Sequence, residues 1–269
     1  MKKSVRYTVV FELLAVLLLL LSGAVPGTLS TVLYYAAFVI PVALFFAIGK
    51  SVSPEPKNLK PLPTAKDGAT VALLLAPTLL GVIGLSALFS YLASLISSPD
   101  DATLTGSFFT LFLLHALLSS VLEELVFRYI PIALISPHSK RSAVLISAVF
   151  FALVHTNLAQ IPYALFAGLV FAAVDIATGS ILPSVVFHLV NNTVSLLLQW
   201  ERTAELFTVP AVITVAALAV ISVGVIIALR KKFRELFSFA FDKSDKLAFT
   251  TEAAVFVLLM LFITVTALF

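Results

Sequence analysis

Long apolar runs alternate with short polar stretches along the whole chain, and most of the runs are close to the length of a helix crossing a hydrocarbon core about 30 Å thick. The first runs from about Tyr7 to Val25, behind Lys2, Lys3 and Arg6 and ahead of Pro26-Gly27. It is longer than a secretory h-region, and Val25-Pro26-Gly27 is a poor cleavage site, so it is read as a retained span. A second, about Leu29 to Ile48, leads into a Pro-rich loop carrying Lys50, Lys57, Lys60 and Lys66, and a third, about Ala69 to Ile96, into a loop with Asp100 and Asp101. The fourth starts near Phe108 and is expected to kink or end at Pro131. His138, Lys140 and Arg141 follow, then shorter runs from Ser142 to Thr156 and Leu158 to Ala177, broken by Thr178-Gly179-Ser180. Spans from about Pro183 to Trp200, Val209 to Leu229 and Leu247 to Phe269 complete the pattern, the last two separated by Arg230, Lys231, Lys232, Arg234, Lys243 and Lys246.

The pattern predicts an all-α, polytopic transmembrane bundle of eight or nine spans, one integral-membrane domain over residues 1–269. The Lys and Arg clusters fall in alternate loops, and Asp100, Asp101, Glu201 and Glu205 in loops of the other set. With nine spans, the positive-inside bias puts the amino end in the cytoplasm and the carboxyl end outside. The short fifth and sixth runs are the weak point of the count, because a tilted or re-entrant segment there inverts everything after it. The ten-residue alternation of a membrane barrel and the internal repeat of a secondary transporter are not seen.

Composition agrees: 61% of residues are hydrophobic and 12% charged, and mean hydropathy is +1.12. The sequence pI of about 9.1 is a topology signal rather than a sign of nucleic-acid binding. With no cysteine, disulfides, thiolate metal sites and cysteine nucleophiles are ruled out.

Against this background the most expensive stretch is Leu122-Glu123-Glu124-Leu125-Val126-Phe127-Arg128, two carboxylates and a guanidinium inside an apolar span. On an α-helix Glu124 and Arg128, at i,i+4, share a face, and Glu123 points roughly 140° away from Arg128. Glu124 is therefore expected in a structural ion pair, and Glu123 without a partner nearby in sequence. Two other runs bring further polar groups: His155, one turn after Phe151, and His188 with Asn192, again i,i+4.

Together these residues suit hydrolysis without a nucleophilic side chain. A carboxylate and an imidazole can take a proton from water and return it to a leaving amine. A second imidazole and an amide can hold the oxyanion. On residue chemistry alone, this reading stands level with proton or ion transport, since the same groups build relays in pumps. Metal ligation is a third option, although the His-Glu-x-x-His helix is absent. His115, Asn157, Gln160 and Asp175, taken singly, are expected to make interhelical hydrogen bonds.

The three clusters resemble the motifs of the CAAX proteases and bacteriocin-processing enzymes. Glu-Glu-x-x-x-Arg is matched by Glu123, Glu124 and Arg128, Phe-x-x-x-His by Phe151 and His155, and His-x-x-x-Asn by His188 and Asn192, with Thr178-Gly179-Ser180 as the lead-in. The resemblance covers about Leu118 to Asn192, inside a motif-bearing core of about residues 107–200. It implies a helical bundle around a cavity open to the cytosol and the bilayer. It further implies that Glu123 and His155 activate water, that His188 and Asn192 stabilise the oxyanion, and that Glu124, Arg128 and Phe151 support them. The implied substrate is a peptide or prenylated protein from which the last three residues are removed, with lipid as the other partner. Catalysis without a metal cofactor is favoured, zinc being the alternative described for the family. The implied location is the plasma membrane in a prokaryote or the endoplasmic reticulum in a eukaryote. Members assigned to bacteriocin immunity or scaffolding share the motifs, which keeps a non-catalytic protein beside the transporter as an alternative.

Overall fold

The computed structural model describes residues 1–52, 59–95, 107–200 and 209–266. The loop charges behind the inside–outside assignment at Lys57, Asp100, Asp101, Glu201 and Glu205 lie outside the described residues. Among the described residues all regular elements are helical: α1 (Lys2–Ala24), α2 (Gly27–Val52), α3 (Ala65–Ala72), α4 (Leu75–Ser94), α5 (Phe108–Leu111), π1 (Phe112–Leu118), α6 (Ser119–Glu124), π2 (Leu125–Tyr129), α7 (Ile130–Ile135), α8 (Lys140–Val154), α9 (Ile161–Thr178), α10 (Leu182–Trp200), α11 (Val209–Leu236) and α12 (Thr251–Thr266), with one 3₁₀ turn at Ser238–Phe241. Five stretches among them are long and apolar enough to span a membrane: Lys2–Ala24, Gly27–Gly49, Lys66–Leu92, Phe108–Ile135 and Ile161–Thr178. The protein is an integral, multi-pass membrane protein.

Two prolines shape the helices that carry them. The third run does not begin at Ala69 as one helix. Thr64 caps α3, its hydroxyl accepting from the Asp67 N–H at 3.2 Å, and the chain breaks at Leu73 before α4. The Pro77 ring would meet the carbonyl four residues back, that of Leu73, so the break falls there. Pro131, by contrast, does not end the fourth run, which stays helical to Ile135. Pro131 leaves the Phe127 carbonyl without its helical donor. The wide turn of π2 absorbs the misfit, and the Ser147 hydroxyl and the Arg128 Nη1, at 3.5 Å, donate to that carbonyl instead.

α8 spans 15 residues, about 22 Å of rise, which is short of a full crossing. It packs along α9, where Gly168 permits the closest approach: a Cβ there would sit 3.0 Å from the Ala148 Cα. α9 stops at Gly179, whose φ of +66° is the left-handed C-cap that glycine adopts without penalty. α1 and α2 pack on one another, and α1 also lies against α7, π2 and α12. The main core joins Val5, Val9 and Phe11 of α1 to Ile130, Leu134, Ile146, Phe150, Phe256 and Met260.

Candidate active site

The six residues of α6 stand between two π-helical stretches and carry Ser119, Ser120, Glu123 and Glu124. π-Bulges are frequent where a helix must aim side chains at a site. Glu123 and Glu124 meet different surroundings. The Glu123 side chain keeps 14% of its surface accessible; that of Glu124 keeps none.

Glu124 is the hub of a sealed network. Its Oε1 accepts from His188 Nδ1 at 2.8 Å, and its Oε2 lies 3.4 Å from Arg128 Nε, at ion-pair distance but off hydrogen-bond alignment. The expected Glu124–Arg128 pair is present, and the carboxylate is also the anchor of His188, which sequence spacing did not show. Arg128 is completely buried, its guanidinium carbon 3.9 Å from the Phe151 ring centroid and 5.7 Å from that of Phe171. The face of Phe151 therefore stabilises the cation that Glu124 alone does not satisfy. The edge-to-face contacts of Phe151 with His155 and His188, at 4.9 and 5.6 Å between centroids, set both imidazoles around the same ring.

Glu123 is not without a neighbour in sequence: the Ser119 hydroxyl, one turn earlier, donates to its Oε1. Its Oε2 lies 3.8 Å from His188 Nε2. His188 thus stands between the two carboxylates, tied to one and approaching the other. His155 caps the end of α8, and its Nδ1 donates to the Phe151 carbonyl at 2.8 Å. A carbonyl only accepts, so Nδ1 carries the proton and Nε2 of the neutral ring is left as an acceptor. The next residue, Thr156, is the one non-glycine among the described residues with positive φ, at +49°, a strained conformation that stops the helix at His155.

Asn192 donates through Nδ2 to Ser120 Oγ at 3.3 Å and to the His115 carbonyl at 3.4 Å, which ties α10 to α6 and π1. His115 enters through its backbone. Asp175 makes the interhelical contact expected of it: its carboxylate accepts from the Ser184 N–H at 3.2 Å and the Ser184 hydroxyl at 2.7 Å. Ser184 is one turn before His188, so Asp175 fixes the start of α10 and with it the height of the imidazole. Asn157 turns inward on its own loop, accepting from the Ala159 N–H at 2.9 Å.

Ser119, Ser120, Ser184 and Glu12 were not singled out in the sequence. Ser184 has no signal in a single sequence. Glu12 does: it is a lone carboxyl in the first span, fully buried, with no hydrogen-bond partner for either oxygen. The Glu123-Glu124 stretch is therefore not alone in its cost. A cavity of about 580 Å³ between the α7–α8 turn and the 238–245 segment, lined by His138, Lys140, Phe239 and Asp242, contains none of the motif residues. Among the described residues no three His, Asp or Glu side chains converge in a metal-holding group.

The fold and site define a polytopic membrane protein with a carboxylate–imidazole centre inside the bundle. Residues 105–194 match the family model described as type II CAAX prenyl endopeptidase Rce1-like, so the segment from α5 to α10 that carries the centre is similar to that family. The match covers about a third of the chain and leaves α1–α4, α11 and α12 outside it. No curated protein and no solved structure matches the chain.

Proposed function

We propose that this protein is an intramembrane endopeptidase that hydrolyses a peptide bond near the carboxyl end of a prenylated or similarly lipid-bearing substrate. The observation that carries this reading is His188 held between two carboxylates that differ in accessibility, 2.8 Å from Glu124 and 3.8 Å from Glu123. The family match over the same residues supports it.

In this mechanism Glu123 is the general base. It takes a proton from water, with the free Nε2 of His155 as the second acceptor, and the hydroxide adds to the scissile carbonyl carbon. The electron pair of the C=O bond moves to oxygen, where His188 Nε2, with both ring nitrogens protonated, and one Asn192 amide hydrogen, turned away from the His115 carbonyl, donate hydrogen bonds. Collapse of the tetrahedral intermediate breaks the C–N bond, and the proton held by Glu123 goes to the leaving nitrogen. Glu124 touches no reacting atom in this scheme; it holds His188 through Nδ1. The centre's own acids and bases supply every proton transfer, so we propose that the reaction needs no metal.

The test is incubation of purified protein with a farnesylated peptide ending in a CAAX-type tetrapeptide, following release of the tripeptide, before and after exhaustive chelation. Release that survives chelation is the expected result. Proton or ion flux in liposomes with no cleavage would overturn the proposal in favour of transport, and activity restored only by stoichiometric zinc would overturn its metal-free form.

A further inference from the structure

Glu123 and His188 face one another across a gap. Glu123 Oε2 lies 3.8 Å from His188 Nε2, beyond the reach of a hydrogen bond. With both ring nitrogens protonated, as the hydrolytic scheme requires of His188, a carboxylate this close would gain by closing the gap to the usual distance of about 2.8 Å. A closed pair would spend the base's reacting oxygen and the oxyanion donor on each other. The structure puts Ser119 on the other oxygen: one turn earlier on α6, and buried, its hydroxyl donates to Oε1. The neighbouring hydroxyl, Ser120, is taken up by Asn192, accepting from Nδ2 at 3.3 Å. His188 is in turn held by Glu124, through Nδ1 at 2.8 Å. Each member of the facing pair is thus tethered through its other polar atom.

We propose that Ser119 is a positioning residue of the centre, whose hydroxyl holds Glu123 off His188 and leaves Oε2 to the reacting water. The open gap lets the water oxygen lie on Oε2 and the carbonyl oxygen on Nε2 side by side, as the addition step requires. The tether serves both protonation states of Glu123. It donates to Oε1 of the carboxylate, and once a proton has come to Oε2 it still donates to Oε1, now the carbonyl oxygen of the acid. The acidic O–H is thereby kept on the side of the leaving nitrogen. The consequence for turnover rests on the proposed function; the tether and the gap do not.

The full chain is tested in detergent as Ser119→Ala, Ser119→Thr and Ser119→Val, each with and without Glu123→Gln; threonine and valine share a shape and differ in the hydroxyl. The chain has four histidines, so [15N]histidine spectra resolve His188, assigned by its loss in His188→Gln. In Ser119→Ala and Ser119→Val the His188 Nε2 signal is expected to move, as a direct bond to Glu123 forms, and in Ser119→Thr to stay near wild type. In the Glu123→Gln background the same changes should leave the signal where Glu123→Gln alone puts it. Where the peptide is cleaved, kcat should fall by about 10- to 100-fold in Ser119→Ala and Ser119→Val with KM unchanged, as for a misplaced rather than missing group, and Ser119→Thr should recover most of it. An unmoved His188 signal in Ser119→Ala, or one that moves equally in the Glu123→Gln background, overturns the proposal, as does a Ser119→Val protein that turns over as fast as Ser119→Thr. If Ser119→Ala does not fold, the threonine and valine variants decide by the same readings. A wild-type protein that cleaves nothing refutes the proposed function and leaves the spectra to judge Ser119.

Discussion

The two halves of the centre are built on opposite plans although their leading residues are adjacent in sequence. On the Glu124 side every charge is sealed: carboxylate, guanidinium and imidazole lie at or below 5% exposure, and Phe151 covers the cation. On the Glu123 side a part-exposed carboxylate has one hydroxyl donor and an imidazole 3.8 Å away. Sealed charges are strongly coupled to folding, because removing one strands the others. The open side is less committed to its neighbours and is free to exchange protons with an incoming molecule. Adjacent glutamates can therefore carry stability and chemistry separately.

The sharpest break of this comparison is Glu123→Gln, nearly isosteric. Cleavage per folded molecule should fall by about 10²- to 10⁴-fold while the melting temperature stays near wild type. Glu124→Gln should do the reverse, lowering stability by about 3–5 kcal/mol as Arg128 loses its closest carboxylate, with some turnover left in the folded fraction. Adding Arg128→Gln should return part of that stability, measured by melting in detergent. A stable but inactive Glu124→Gln beside an active Glu123→Gln would exchange the two roles.

Asn192→Ala, on the open side, is expected to cost about 10²-fold in kcat, the size of one lost oxyanion donor, with KM little changed. Next in size is the strained end of α8. Thr156→Gly removes a left-handed threonine, so stability should hold or rise by up to about 1 kcal/mol; a loss of that size in chemical denaturation would mean that the threonine side chain contributes more than its backbone costs. The smallest effect lies outside both halves. Partial burial, and to a lesser degree the charged amino terminus, hold His138 below its ordinary range, and its Nε2 lies 3.0 Å from Ser4 Oγ. Its folded value is below its unfolded one, so its contribution is fully present above about pH 6.5 and fades as pH falls below that. His138→Gln should slightly flatten the loss of melting temperature between pH 6.5 and 5.

Much of this was legible in the chain. The apolar runs predicted the helices because hydropathy over 20 residues reports directly on what a bilayer accepts, and Gly179 marked the end of α9 because few other residues take its backbone angle. The Glu124–Arg128 pair followed from helical spacing, and so did the shared face of His188 and Asn192. Spacing along one helix determines neighbours on that helix. Contacts between helices depend on how separate surfaces pack, and no period within a single run encodes them. The His188–Glu124 bond, 64 residues apart, the guanidinium of Arg128 lying on Phe151, and the Asp175–Ser184 anchor were therefore decided by tertiary structure. The same holds for Pro131. The sequence determined that the Phe127 carbonyl would lose its helical donor, and only the packing of α8, with Ser147 opposite, decided that the helix would widen and continue rather than stop. Glu12 shows both sides: its cost was written in the first apolar run, and its complete burial was decided by how α1 packs.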